Sequence, residues 1–188
     1  MNKCRWALAS ANEEHYHDTE WGVPLHDDCG LFEFLVLEGA QAGLSWRTIL
    51  DKRQAYRDAF DDFDPLAVAA YDNAKLETLL QNSGIVRNRL KIQSAVSNAQ
   101  AYLKVLETFD SFDSYIWQFV DGSPRQNRWL KHEQVPAYSP ESERMSKDLQ
   151  KRGFKFVGKT ICYAYMQAVG MVNDHVIDCY RHAELANL

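Results

Sequence analysis

Residues 31–46 read LFEFLVLEGAQAGLSW, an apolar helix-forming run with a carboxylate set into the face it must bury. Leu31, Phe34, Leu35 and Glu38 stand at i, i+3, i+4 and i+7, the spacing of one stripe on a helix. An ionised carboxylate in such a stripe is costly unless something polar or cationic meets it. Gln41 lies one turn beyond Glu38, and Trp46 follows a Gly-Leu-Ser break, so an acid, an amide and an indole can converge. That combination suits a pocket for a flat, polar, cationic ligand. A structural role satisfies the same spacing: Glu38 at the edge of the stripe, paired with a basic side chain.

At 188 residues the chain is sized for one compact domain over 1–188, or for two closely packed helical lobes. No repeat, low-complexity tract or interdomain linker interrupts it. Met1-Asn2-Lys3-Cys4 is not followed by a long apolar run, and no segment is long enough to span a bilayer, so the expectation is a cytoplasmic protein without membrane contact. Its four cysteines are then expected to stay reduced or to bind metal.

The net charge of −5 argues mildly against a generic nucleic-acid binder, but its distribution is uneven. Across 6–46 there are eight acidic residues and no Lys or Arg. Across 78–104 there is no acid, while Arg87, Arg89, Lys91 and Lys104 are basic, and Lys147, Lys151, Arg152, Lys155 and Lys159 form a second run. The separation suggests one surface for phosphate and another for cations; solvated faces are the plainer reading.

The pattern is nearly all helix. Ser45 caps a helix over 47–60, and Asp64-Pro65 opens a short one. Leu76, Leu79 and Leu80 mark a helix ending at Gly84, and Ile92, Ala95, Val96, Ala99 and Leu103 mark a longer one. Helices are expected over 114–120, 142–153 and 158–168, with a proline-bearing loop at 121–140. Two helix pairs are joined by glycine turns, at 84–88 and 153–158. Such a turn exposes backbone N–H groups at the start of the second helix, where an anion is favoured. Lys155, Lys159 and Thr160 make the second turn a candidate for a DNA phosphate, although joining helices is the commoner use of a turn.

Cys4 and His17 lie near one end, His175 and Cys179 near the other, the last two spaced to share a helical face. Two thiolates and two imidazoles make a closed tetrahedral zinc set, structural rather than catalytic. Cys29, Cys162, His15, His26, His132 and His182 are alternatives by spacing alone. The signature of a zinc deaminase is absent.

Several strings together resemble the 3-methyladenine DNA glycosylase I family. They are Cys4-x-Trp6, Tyr16-His17-Asp18-x-Glu20-Trp21-Gly22-Val23-Pro24, Leu37-Glu38-Gly39-Ala40-Gln41-Ala42-Gly43-Leu44-Ser45-Trp46, Lys151-Arg152-Gly153-Phe154-Lys155-Phe156-Val157-Gly158, and Met166-Gln167-Ala168-Val169-Gly170-Met171-Val172-Asn173-Asp174-His175. The resemblance runs from about Cys4 to Cys179. It implies an all-α helix-hairpin-helix glycosylase fold that removes 3-methyladenine from alkylated double-stranded DNA. It also implies a structural zinc at Cys4, His17, His175 and Cys179, and a phosphate-binding hairpin around Gly153 and Gly158. Where the wider superfamily carries a catalytic aspartate, this chain has Asn173, which fits the family's lack of that acid.

The resemblance places the base pocket around Trp6, Tyr16, Glu38 and Trp46, with Trp21 near. Many members carry a pocket tyrosine three positions before the Tyr16 equivalent; this chain has Glu13, so the contacts of that ring are not carried over. In the mechanism this suggests, a damaged base is flipped out at a cost of a few kcal/mol. Tyr16 and Trp46 stack on it and Trp6 closes the pocket. Glu38 accepts from the exocyclic amine and opposes the positive charge. Gln41, Gly43 and Leu44 lie at the helix break, with Leu44 expected to fill the gap in the duplex; core packing is its plain alternative. No lysine is placed as a nucleophile, so the expectation is a monofunctional enzyme, monomeric aside from its DNA. The rival reading is a catalytically inert helix-hairpin-helix module that grips DNA or senses alkylation.

Overall fold

Short polar side chains begin most of the helices, each accepting a hydrogen bond from the first helical turn at a gain of about 1 kcal/mol. In the computed structural model, which describes residues 2–187, the caps are Ser10 for α1 (Ala11–Thr19), Asp27 for α2 (Asp28–Gln41) and Ser45 for α3 (Trp46–Leu50). After α4 (Arg53–Ala59), Asp64 caps α5 (Pro65–Ala69), Asp72 caps α6 (Asn73–Gln81) and Asn88 caps α7 (Arg89–Val105). Ser111 caps α8 (Phe112–Trp117) and Ser139 caps α9 (Pro140–Lys151); α10 (Lys159–Ala168) and α11 (Tyr180–Leu185) follow without side-chain caps.

The chain is mostly helical, as expected, with one addition: β1 (Arg125–Gln126) pairs in parallel with β2 (Val172–Asn173). The pairing ties the long segment between α8 and α9 to the C-terminal part of the chain. Among the described residues no helix is long and apolar enough to cross a membrane.

Several boundaries differ from the sequence pattern. The helix expected over 47–60 breaks at Asp51 and Lys52, which lets α4 turn Arg53 and Arg57 onto Glu33. The helix expected from Ser142 starts two residues earlier, at Pro140. There Ser139 and Ser142 cap each other's backbone N–H groups and Pro140 takes the first helical position, where its missing N–H costs nothing. The helix expected over 114–120 is α8 followed by a 3-10 turn, Gln118–Val120. His175 and Cys179 do not share a helix; they flank a turn after β2, closed by Cys179 N–H donating to the Val176 carbonyl. The helix α1 was not expected, because its polar sequence ANEEHYHDT carries no apolar stripe.

At the centre lies α2, which buries its whole circumference rather than the single stripe its spacing suggests. Every residue from Leu31 to Ala40 is buried, so the helix is enclosed on all sides rather than one. Its neighbours are α3, α7, α8 and α10. Lys91 donates Nζ to the carbonyls of Ala40 and Ala42, both at 2.7 Å, and so caps the C-terminus of α2. With Arg89 paired to Glu77, two members of the first basic run are committed internally and do not serve a phosphate surface. The acid-rich N-terminal stretch is likewise consumed: Glu14 and Asp18 bind Lys3, Glu20 and Glu33 bind Arg53, and Asp28 accepts from the Phe112 and Asp113 amides.

Gly170 joins the two ends of the chain. Its φ is +74°, and a Cβ there would stand 2.3 Å from the Val23 carbonyl carbon. Only glycine permits that approach, which brings the segment carrying His175 against the one carrying His17.

Candidate active site and metal cluster

A cavity of about 290 Å³ opens beside α2, lined by Trp6, Glu13, Tyr16, Trp21, Glu38, Gln41, Trp46, His132, Ala164 and Gln167. Trp6 comes from the N-terminal 3-10 turn, Glu13 and Tyr16 from α1, Glu38 and Gln41 from α2, Trp46 from the start of α3, and Ala164 and Gln167 from α10. The rings form a continuous wall. Trp6 stands edge-on to Trp21 with centroids 5.0 Å apart, and Tyr16 lies 5.3 Å from Trp46 at 46°. A flat base inserted between two rings needs about 7 Å, twice a carbon contact distance, so Tyr16 and Trp46 offer one face rather than a clamp.

Glu38 is 4% exposed, and its Oε2 has no hydrogen-bond partner. The Trp46 indole Nε1 is buried and unpartnered too. Burial raises the Glu38 carboxyl from its ordinary 4.5 to about 8. The Tyr16 phenol is pushed well above its ordinary range, by burial first and the Glu38 charge second. The alternative of a salt-bridged Glu38 is not what the structure shows. The paired acid of α2 is Glu33, which accepts from Arg53 Nε at 2.7 Å and Arg57 Nε at 2.9 Å.

A neighbouring, smaller cavity of about 220 Å³ is lined by Glu38, Gln41, Ala42, Gly43, Leu44, Thr160, Ile161 and Ala164. It adjoins the first, sharing Glu38, Gln41 and Ala164 with it, and its other side is formed by the exposed Leu44 and Thr160. Leu44 is 40% exposed, on the turn where Gly43 takes φ +78°, so it is not a core residue. The turn from α9 to α10 lies alongside. Gly153 takes φ +97°, and no side chain caps the start of α10 at Gly158. Asn98 clamps this turn, accepting from Lys155 N–H at 2.7 Å and donating to the Lys155 carbonyl at 3.1 Å. Lys155 is exposed, whereas Lys159 Nζ sits 3.4 Å from the centroid of the Tyr138 ring.

Asn173 is buried on β2 and is not a lining residue of either cavity. Its Nδ2 donates to Gln126 Oε1 and to the His182 carbonyl.

Cys4, His17, His175 and Cys179 are all buried, with ligand atoms within 4.8 Å of one another. Cys179 Sγ lies 3.4 Å from His17 Nε2 and 3.5 Å from His175 Nδ1, and Cys4 Sγ lies 3.6 Å from His175 Nδ1. Metal–sulfur bonds of about 2.3 Å and metal–nitrogen bonds of about 2.0 Å at a tetrahedral angle put S and N about 3.5 Å apart. The separations therefore fit one ion. The opposite ring nitrogens are occupied as ligand imidazoles require: His17 Nδ1 meets Asp18 Oδ1 at 2.8 Å, and His175 Nε2 meets the Trp21 carbonyl at 3.0 Å. A hydrogen bond from Cys4, aided by both imidazoles, holds the Cys179 thiol far below its ordinary range.

A family model described as methyladenine glycosylase matches residues 6–182. The chain belongs to the methyladenine glycosylase family. DNA-3-methyladenine glycosylase 1 of Escherichia coli (strain K12) is 47% identical over 179 residues, covering 95% of this chain and 96% of that protein. A crystal structure of 3-methyladenine DNA glycosylase I matches at a TM-score of 0.93 and 48% identity, covering 95% of this chain and 98% of that one. A structure of 3-methyladenine DNA glycosylase I from Staphylococcus aureus, described as the structural basis of 3-methyladenine recognition, matches at a TM-score of 0.92 and 36% identity, covering 96% of each chain.

Within this member of the family, Glu13 itself forms the cavity wall. Its Oε2 accepts from Arg47 Nε at 2.9 Å and from Ser10 Oγ at 2.9 Å. The sequence pattern passed over three further lining residues. Ala164 and Gln167 continue the helical spacing of Thr160 on α10, a signal the sequence does carry. His132 arrives from the 121–140 segment, and no local pattern announces it.

Proposed function

We propose that this chain excises 3-methyladenine from alkylated double-stranded DNA, hydrolysing the N-glycosidic bond after the nucleotide is flipped into the cavity. One observation carries the reading: a buried carboxyl with an unpartnered oxygen, facing a cavity walled by indole and phenol rings. Among the described residues no cation pairs with Glu38, so its natural partner is a ligand that brings positive charge and N–H donors. N3-methylated adenine in DNA brings both. The named activity of the relatives supports the same reading.

The chemistry follows from the charge. Methylation makes the purine cationic and its glycosidic bond weak, so the leaving base departs neutral without prior protonation. Water adds its hydroxyl to the sugar carbon and releases a proton. With its pKa raised to about 8, the empty site holds Glu38 largely protonated at neutral pH; a cationic base favours the ionised form, and a proton leaves as the base enters. Neutral adenine offers no such exchange, which gives selectivity by matched charge. Tyr16, Trp46, Trp6 and Trp21 supply cation-attracting faces. Leu44 and Gly43 fill the space the nucleotide vacates, and Gln41 stands between the two cavities. The backbone N–H groups at Gly158, Lys159 and Thr160, with Gly153 and Lys155 in the preceding turn, hold phosphate as a helix-hairpin-helix motif does. Among the described residues the cavity wall includes no lysine, which supports hydrolysis without strand cleavage. We read the protein as a monomer.

Cys4, His17, His175 and Cys179 suit zinc by their donor types, and zinc there clasps the chain's two ends without meeting substrate.

The test is release of 3-methyladenine from methylated duplex DNA, measured beside binding of that DNA. Wild type is expected to release the base, and Glu38→Gln to lose most of the rate while still binding DNA. Binding without release by wild type would instead establish the inert module.

A further inference from the structure

Asp174 is 1% exposed and accepts four hydrogen bonds of 2.7 Å: from Asn127 Nδ2 and Trp129 Nε1 on Oδ1, and from Tyr163 OH and Gln167 Nε2 on Oδ2. It touches neither cavity, yet Gln167 lines the larger one. A carboxylate only accepts hydrogen bonds, so the amide nitrogen of Gln167 must face Asp174 and its oxygen must face away. The orientation of this amide is therefore dictated by its partner rather than open to a flip. Asp174 takes one of the two amide N–H bonds, and the oxygen on the other side of the amide is left as an acceptor for the cavity that Gln167 lines.

We propose that Gln167, oriented by Asp174, is a specificity-determining residue that admits purines with an amine at position 6 and rejects those with an oxo group there. The inference rests on the cavity taking an alkylated purine. A 6-amino group carries two N–H bonds, and Glu38 and Gln167 are two of the acceptors on the cavity wall that can take them. A 6-oxo purine sets oxygen against the Gln167 oxygen, and each is left unpaired in a desolvated site. Glu38 cannot enforce this choice alone, because a carboxyl that takes up a proton becomes a donor to an oxo group. The amide cannot make that change while Asp174 holds its nitrogen. Asp174 is thus a positioning residue: the other three donors pin Tyr163 and the segment at Asn127 and Trp129 around the same oxygens.

The test compares binding of two free bases that carry an amine or an oxo group at position 6, 3-methyladenine and 3-methylhypoxanthine. Wild type should prefer 3-methyladenine by a hundredfold or more. Gln167→Met keeps the length of the side chain and removes the acceptor; the preference should fall at least tenfold, chiefly through weaker 3-methyladenine binding. Asp174→Asn frees the amide to turn, so the preference should fall through tighter 3-methylhypoxanthine binding. If Asp174→Asn does not fold, Gln167→Met decides alone. Equal loss for both bases, or an unchanged ratio, overturns the inference. Base release by wild type from methylated DNA is measured in parallel: its absence defeats the functional reading, whereas its presence with an unchanged ratio defeats only the role of Gln167.

Discussion

The clasp between the chain's ends and the cavity beside α2 share a wall of aromatic rings but treat buried polar groups in opposite ways. In the clasp the acid and the metal-cluster side chains are occupied. Asp174 takes four donors, and each histidine of the cluster has both ring nitrogens engaged. In the cavity, Glu38 Oε2 and Trp46 Nε1 are buried with nothing to bind. Even within α2 the contrast holds, since Glu33 meets two arginines and Glu38 meets none. Buried polar groups are ordinarily satisfied because leaving one unmade costs about 1–3 kcal/mol. Tyr165 OH, Asn173 Oδ1 and Arg181 Nε are buried and unpartnered as well, but none of them lines either cavity; what sets Glu38 and Trp46 apart is that their open groups belong to a cavity wall, where something from outside can meet them.

If that division is right, substitutions in the clasp lower stability, and those in the cavity raise or spare it while removing function. The largest effect is expected at the metal cluster. A chelator, or Cys179→Ser, should cost about 5 kcal/mol or more and lower the melting temperature by about 10 °C or more in a thermal scan. Indifference to both would remove the metal from the account. Next comes Asp174→Ala, which leaves buried donors without their acceptor and should cost about 3–5 kcal/mol in a denaturant titration.

Glu38→Gln should go the other way, with the stability gained being on the order of 3 kcal/mol at neutral pH. The sign follows from the raised pKa. A carboxyl that titrates at about 8 when folded and 4.5 when unfolded keeps its proton in the native chain after the unfolded chain has lost it. Its contribution to stability therefore declines from pH 4.5 to about 8 and is level above. The gap between Glu38→Gln and wild type should widen across that window, measured by urea unfolding at several pH values. A constant gap breaks the comparison at its centre. The smallest stability change belongs to Leu44→Ala, within about 0.5 kcal/mol for an exposed side chain, accompanied by slower base release from duplex DNA.

Much of the site was legible along the chain. Glu38 stood out as an acid in an apolar run, Trp46 followed the break, and Ser45 and Asp64 announced helix starts through ordinary capping chemistry. Less legible was which acid would be compensated. Glu33 and Glu38 occupy the same apolar helix, and only the break at Asp51 and Lys52 delivers Arg53 and Arg57 to one of them. The basic run around Lys91 looked like a phosphate surface until folding set its ammonium on the C-terminus of α2. His132 and Asp174 entered the account from segments whose local sequence reads as loop.

Local chemistry, then, determined the helical character, the caps, the glycine turns and the identity of the groups that could act: one misplaced carboxyl, its aromatic neighbours, and two cysteines with two histidines. The tertiary structure decided which of them meet. Hydrogen bonding and charge pairing act over a few ångströms, whereas the partners here lie tens of residues to well over a hundred apart in the chain, as Cys4 and His175 do. Whether a buried acid is satisfied or left open is a property of that long-range encounter, and in this protein it separates the side chains that hold the fold from those that await a ligand.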